Sequence, residues 1–252
     1  MSHSIDTKPI IGDLKNLEPV TLKLVTDQTL ESLLDQLVSR YHYLGYRRLL
    51  GHRLKYLAFI GKRPVSALSW SAPALKLRVR DHFIGWSDEQ RKASLDRIAN
   101  NSRYLILPWV KVANLASHVL SFNISQLRKD WSQHFNTELL LLETFVDPRY
   151  FNAICYKAAN WNFIGQTNGY TKQGKGYIYH GDAKDVYIYV LDPKFRDIID
   201  CQQKPCDPFQ RPPQSQKKVE DLQMLLKHSQ WHPDLVPNMD LTEEDLALMA
   251  DE

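Results

Sequence analysis

Hydrophobic spacing is most regular between Ser102 and Gly165. There SRYLILPWVKV, apolar and rich in β-branched and aromatic residues, reads as a buried strand. It is followed by ANLASHVLSFNISQLRKDWSQHF, where Leu115, Val119, Phe122 and Leu127 recur at helical spacing. TELLLLETFVD reads as a second strand, PRYFNAICYKAANW as a second helix with Tyr150, Ile154 and Ala158 on one face, and NFIG as a third strand. Two successive strand, helix, strand units predict an α/β domain whose sites lie at strand ends and helix N-termini.

The rest of the pattern frames this centre. Val20 to Val25 alternates as a first strand, and Asp27 stands as N-cap of a helix with Leu30, Leu33, Leu34, Leu37 and Tyr41 on one face. Leu54 to Ile60 and Val65 to Ser71 flank Gly61-Lys62-Arg63-Pro64 as a hairpin, and Tyr41 to Gly51 is an aromatic and basic loop or short helix lining a surface. Ser87-Asp88-Glu89-Gln90 is a capping box, predicting an inserted helix through Leu95 and Ile98 that stops at Asn100-Asn101. Val186 to Leu191 is a closing strand. Residues 1–18 are expected to be loose or lightly docked and the folded domain to span 19–200. Prolines amid Gln, Ser and Lys mark 201–216 as a linker, and 217–252 forms an acidic tail with two short helical patterns. That tail either docks on the body or recruits a partner protein.

Charge sharpens the picture. The chain of 252 residues carries a net +3, yet the tail from Lys217 holds nine acids against three bases, a local −6 that leaves +9 on the remainder. From Arg40 to Arg80 there are ten basic residues and no acid. A surface bearing Arg47, Arg48, Arg53, Lys55, Arg63 and Arg80 suits a polyanion such as nucleic acid, or alternatively only solvates strand edges. No apolar run approaches a membrane span and the N-terminus has no apolar h-region. Three cysteines, Cys155, Cys201 and Cys206, are too few for a disulfide framework, so a reducing cytoplasm is expected.

Candidate chemistry is sparse. Glu143 interrupts an otherwise apolar strand, where a carboxylate is costly to bury alone, so it is either a general base facing a cleft or the buried partner of Arg103 or Arg80. His118, in the first turn of the long helix, is a cap or core partner or else a catalytic base. Arg80-Asp81 and Asn101-Ser102-Arg103 bracket the insert and either position a substrate or pin the insert to the sheet. Trp109 and Trp161 are core, or stacking platforms for unpaired nucleotides. Gly169 to Gly176 nearly matches a Walker A loop, but Gly176 replaces the metal-binding hydroxyl and a strand pattern follows, so it reads as a basic hairpin. No His-Glu-x-x-His, Cys-x-x-Cys or Gly-x-Ser-x-Gly motif exists and no metal is expected.

Two resemblances add to this. Ala153, then Tyr156, then Asn160-Trp161 before an apolar strand resembles the last helix of the GCN5-related N-acetyltransferases, with Asn and Trp where Gly and Phe are usual. Residues from about Tyr41 to Asp192 resemble the DruA family of the Druantia anti-phage system and of transposon-encoded reading frames. The matching motifs are Tyr41-His42-Tyr43-Leu44-Gly45, Arg80-Asp81 with Gly85-Trp86-Ser87, Asn101-Ser102-Arg103, Leu107-Pro108-Trp109-Val110, Asn114-Leu115-Ala116-Ser117, Leu142 to Asp147 and Cys155 to Trp161.

The resemblances imply a single acetyltransferase-like (GNAT-like) domain with a mixed, mostly antiparallel sheet and a helical insert. They imply Tyr156 as general acid beside the sulfur of an acyl donor such as acetyl-CoA. Backbone amides around Val112, Asn114, Leu115, Ala116 and Ser117 would hold the donor pyrophosphate, although the glycine-rich signature usual there is absent. The resulting expectation is a phage-defence or mobile-element transferase acting on nucleic acid or a nucleic-acid-bound protein. The alternative is a DNA- or RNA-binding module without catalysis, and a third reading is an interaction scaffold built on the tail.

Overall fold

In chain order the elements are β1 (Ile10–Asp13), β2 (Val20–Leu24), α1 (Gln28–Tyr41), β3 (Arg53–Ile60), β4 (Arg63–Ser71), α2 (Arg78–Ile84), α3 (Asp88–Ser94), β5 (Ile98–Ile106), β6 (Val110–Ala113), α4 (Leu115–Phe135), β7 (Leu141–Val146), α5 (Ile154–Ala158), β8 (Asn162–Gln166), β9 (Tyr170–Gln173), β10 (Gly176–Tyr179), β11 (Asp185–Val190) and α6 (Phe195–Ile198). The structure, a computed structural model, describes residues 5–47, 51–168 and 182–201, and the backbone alone of 170–173 and 176–179. The acidic tail, nearly all of the linker and Arg48 lie outside the described residues.

Seven strands make one sheet in the order β2-β3-β4-β5-β7-β11-β8. Every neighbouring pair is antiparallel except β5 with β7. A parallel pair needs a crossover, and the long helix α4 lies between these two strands in the chain. The described residues therefore form the expected mixed, mostly antiparallel α/β sheet.

Alternation along the strands sets the helix layers. On β3, Lys55 reaches Glu31 and Asp35 of α1, while its neighbour Tyr56 donates its hydroxyl to Asp130 of α4 at 2.8 Å. On β7, Glu143 reaches Arg80 of α2, while Thr144 meets Tyr156 of α5. So α1 and α2 cover one face and α4 and α5 the other. The large core joins α1, α4 and the central strands; a second cluster packs Val79, Ile84 and Trp86 with Leu141, Ile188 and Phe195.

Local chemistry explains the helix starts. Asp27 accepts from the Leu30 amide at 2.9 Å, and Ser87 with Gln90 forms a reciprocal capping box.

Three expectations are corrected and one is narrowed. The insert helix ends at Ser94, and Ile98 opens β5, because Ile98 and Ala99 are buried by pairing with β7. The strand from Ser102 divides into β5 and β6 around a turn at Leu107–Val110. The second helix is only Ile154–Ala158, since Pro148 to Ala153 turns instead: Tyr150 and Phe151 amides bond back to the Asp147 carbonyl and Ala153 is left-handed at φ 59. Its buried side carries Tyr156, while Ile154 is exposed. Finally, of the two alternatives for the N-terminus, residues 5–18 are docked and not loose. β1 pairs in parallel with β6, and Arg63 Nη2 ties down the carbonyls of Asp6 and Lys8.

Candidate functional site where the parallel strands part

β5 and β7 pair only from Ile98 with Leu141 to Asn101 with Thr144. At that point β5 carries an extra residue: Trp70 of β4 faces Asn101 and Ser69 faces Arg103, leaving Ser102 as a bulge. A bulge bends its strand and ends a ladder, and bulges concentrate beside active sites. The outcome is a gap at the carboxyl ends of the only parallel pair in the seven-stranded sheet, where α/β sheets place their ligands.

Tyr156 enters this gap from α5. Its phenol donates to Asn101 Oδ1 at 2.7 Å. Thr144 Oγ1 donates to the Asn101 carbonyl at 3.1 Å and lies 3.4 Å from the phenol oxygen. Burial pushes the Tyr156 hydroxyl far above its usual range, so it stays protonated at any working pH. The Tyr156 ring stands edge-on to Tyr104 at 6.1 Å, and the Tyr104 hydroxyl donates to the Ala116 carbonyl. One aromatic thus connects the Tyr156 phenol to the first turn of α4. That turn begins at Asn114 in the left-handed region, φ 60, a conformation glycine adopts at least cost and Asn tolerates best among the rest. Leu115, Ala116 and Ser117 are first-turn residues whose amides have no acceptor within the helix.

The other sites foreseen from sequence divide. Glu143 is corrected as a general base. It is fully buried, accepts from Arg80 Nη1 at 2.8 Å through Oε2 and from the Ala74 amide at 2.8 Å through Oε1, and so has no open oxygen aimed at a cleft. Burial raises its pKa while Arg80 opposes the rise. Arg80 is corrected as a nucleic-acid contact: fully buried, it holds Glu143, Asp81 and the Ala74 carbonyl, pinning the insert to β7. Lys55 is corrected likewise, buried between Glu31 and Asp35. Arg63 spends its guanidinium on residues 6–8. Arg47 and Arg53 are exposed. His118 sits exposed on α4 beside Phe122 and makes no hydrogen bond to the Tyr156 group. Val112, Ala116 and Ser117 are partly buried, Leu115 is buried and Asn114 is exposed.

Several residues that the sequence did not mark as one site meet at the mouth of the gap. His42 Nδ1 accepts from the Leu44 amide at 3.1 Å, which places the ring proton on Nε2. The ring stacks on Tyr43 at 5.0 Å, and Tyr43 meets Phe151 at 5.1 Å. Burial, then Arg103 and Lys184, lower the His42 pKa to about 3, so the ring is neutral. Arg103 Nε donates to the Gly45 carbonyl at 2.9 Å and Nη1 to the Ser102 carbonyl at 2.6 Å. Lys184 is held by backbone bonds to Thr167, and burial lowers its ammonium pKa. Buried Asp147 is gripped by Arg149, Nε to Oδ1 at 3.0 Å and Nη2 to Oδ2 at 2.7 Å. The aromatic and basic loop after Tyr41 and the Asn101-Ser102-Arg103 motif were the available signals. Lys184 carried none, because it belongs to a different segment that only the fold brings near.

Compared with known proteins, the chain matches a family model described as Druantia protein DruA over residues 3–176. No curated protein matches it. Among solved structures, aminoglycoside acetyltransferase AAC(6')-Ib in complex with coenzyme A aligns at 16% identity and a TM-score of 0.43, covering 70% of this chain and 98% of that one. A Drosophila melanogaster polyamine N-acetyltransferase aligns at 11% identity and 0.42, covering 68% and 100%. A probable acetyltransferase from Staphylococcus epidermidis ATCC 12228 aligns at 12% and 0.43, covering 69% and 99%.

Proposed function

Because the chain belongs to the DruA family, a defence-associated family of Druantia proteins, we propose that it is an acyltransferase whose acceptor is nucleic acid or a nucleic-acid-bound protein. The observation that carries this reading is the Tyr156 phenol, seated where the parallel ladder ends and joined through Tyr104 to the opening turn of α4. A structural tyrosine needs one hydrogen-bond partner; this one is placed at a strand divergence beside a row of unused backbone amides.

The residues present fit a coenzyme A thioester. Asn114 supplies the left-handed turn without glycine, the small Ala116 and Ser117 allow close approach, and the Leu115, Ala116 and Ser117 amides with the α4 dipole suit a pyrophosphate. Such a donor supplies an acyl group activated by a thiolate leaving group. Tyr156 holds a proton at Oη, which Asn101 Oδ1 accepts in this structure and which the phenol would turn from Asn101 to deliver to a leaving thiolate.

The test is calorimetric titration of the full chain with coenzyme A and acetyl-coenzyme A, at concentrations that detect roughly 100 μM affinity, about −5.5 kcal/mol. Saturable binding is expected, lost in the pair Ala116→Leu with Ser117→Leu, with turnover lost in Tyr156→Phe. Absence of binding in the wild-type chain sinks the donor reading. The competing reading, a nucleic-acid module without catalysis, draws on exposed Arg47 and Arg53; binding that survives with full function in Tyr156→Phe would favour it.

A further inference from the structure

Arg103 and Lys184 are cations in an unusual position. Both are partly buried and both have their pKa lowered, burial being the largest cause. Neither has a carboxylate within 4.0 Å among the described residues. Asp147 and Asp182 act on Lys184 only from beyond that distance, and Asp147 gives both its oxygens to Arg149, which also pairs with Asp182. Arg103 uses Nε and Nη1 on carbonyls, which leaves Nη2 unspent, and Lys184 has only backbone bonds. Both cations act on a neutral His42, whose proton on Nε2 is a third donor.

Cations withdrawn from water with no carboxylate in contact cost free energy that an anion joining them offsets. Beside them Tyr43 is backed by His42 and packs on Phe151, whose ring is 38% exposed at the rim of the gap. A charged seat adjoining an accessible aromatic face is the pairing that single-strand binders use, a phosphate on the cation and a base on the ring. A duplex presents no unstacked base to such a ring.

We propose that Arg103, Lys184 and His42 seat a phosphodiester of an unpaired nucleic-acid strand, with a neighbouring base stacked on Phe151 and Tyr43. The inference names the acceptor class of the transferase site and rests on that gap being the functional site, but it is tested by binding alone, without donor or turnover. A chain that binds strands yet ignores coenzyme A separates the two.

The experiment is fluorescence anisotropy of the full chain with a labelled single strand of about 20 nucleotides and with its duplex, between about 50 and 200 mM salt. Single-strand binding is expected to exceed duplex binding. Lys184→Gln keeps the backbone bonds to Thr167 and should make the log K against log salt slope about 0.7 shallower. Phe151→Ala should weaken single-strand binding about 5- to 150-fold while changing duplex binding little. A free nucleoside monophosphate should compete far more weakly than the strand. Circular dichroism checks that both variants fold. Absence of strand binding at low salt, wild-type affinity and slope in both variants, or equal competition by the mononucleotide overturns the proposal.

Discussion

The Arg80 and Glu143 pair gives the sharpest prediction, because its geometry fixes both sign and size. Both side chains are fully buried, with Nη1 2.8 Å from Oε2. Arg80→Met removes that contact and leaves a carboxylate in the core with only the Ala74 amide as partner. Stranding one member of a buried pair costs about 3–5 kcal/mol. At about 2–4 °C per kcal/mol for a domain of this size, Tm falls by about 6–20 °C. Glu143→Gln removes one of the two carboxylates that hold Arg80 and leaves it Asp81, so it should destabilise by less than Arg80→Met. Replacing both, Arg80→Met with Glu143→Leu, removes the fully buried pair and leaves only the partly exposed Asp81 without its cation but still bonded to Leu77 and Trp86, so the loss should be well below the sum of the single losses. Urea unfolding followed by circular dichroism measures all three. If Arg80→Met costs less than about 1 kcal/mol, or the single losses simply add, the pair is not the clamp between α2 and β7, and a solvent-facing base at Glu143 returns to consideration.

Two further predictions follow from the same geometry. His42 has a folded pKa of about 3 against an ordinary 6.5, so its contribution to stability is complete above about pH 6.5 and is lost as pH falls toward 3, at no more than about 1.4 kcal/mol per pH unit; NMR titration of the ring should show no protonation above pH 5, and a midpoint near 6.5 would refute its burial among Arg103, Lys184 and Tyr43. Deleting residues 1–13 removes β1 and the buried Ile10, about 1.5–3 kcal/mol of apolar contact, so Tm should fall by about 3–12 °C and amide exchange at Val110–Ala113 should quicken; unchanged exchange there would show that β6 does not depend on β1.

What the sequence revealed depended on whether burial was written in apolar residues. Strand β3, the Asp27 cap and the Ser87 box were legible because their signals are local. On α4 the apolar count pointed to Phe122, which is 42% exposed, because the true inner stripe includes Asn123 and Asp130. Those two are buried by accepting from Trp70 Nε1 at 2.6 Å and from the Tyr56 hydroxyl, partners more than 50 positions away. The candidate site shows the same split. Tyr156 stood out by motif, and Glu143 by being a charge in an apolar strand, but whether that charge was paired or open required knowing where Arg80 lay. The grouping of Arg103, Lys184 and His42 comes from three different segments and appears only when the sheet is assembled.

The pairing of β1 with β6 has a consequence for synthesis. Ile10 lies opposite Val110, so β1 waits for a partner that follows 100 residues later. At ribosomal rates of about 5–20 residues per second that interval is about 5–20 s. During it the α1, β3 and β4 segment can assemble on neighbours already made, whereas the entry to α4 is secured only after its own segment has emerged and the oldest part of the chain has returned to it. The opening turn of α4, the same turn that carries the unused amides, is therefore fixed only once residues 110–113 have met β1, and still before β7, β8 and β11 have been made.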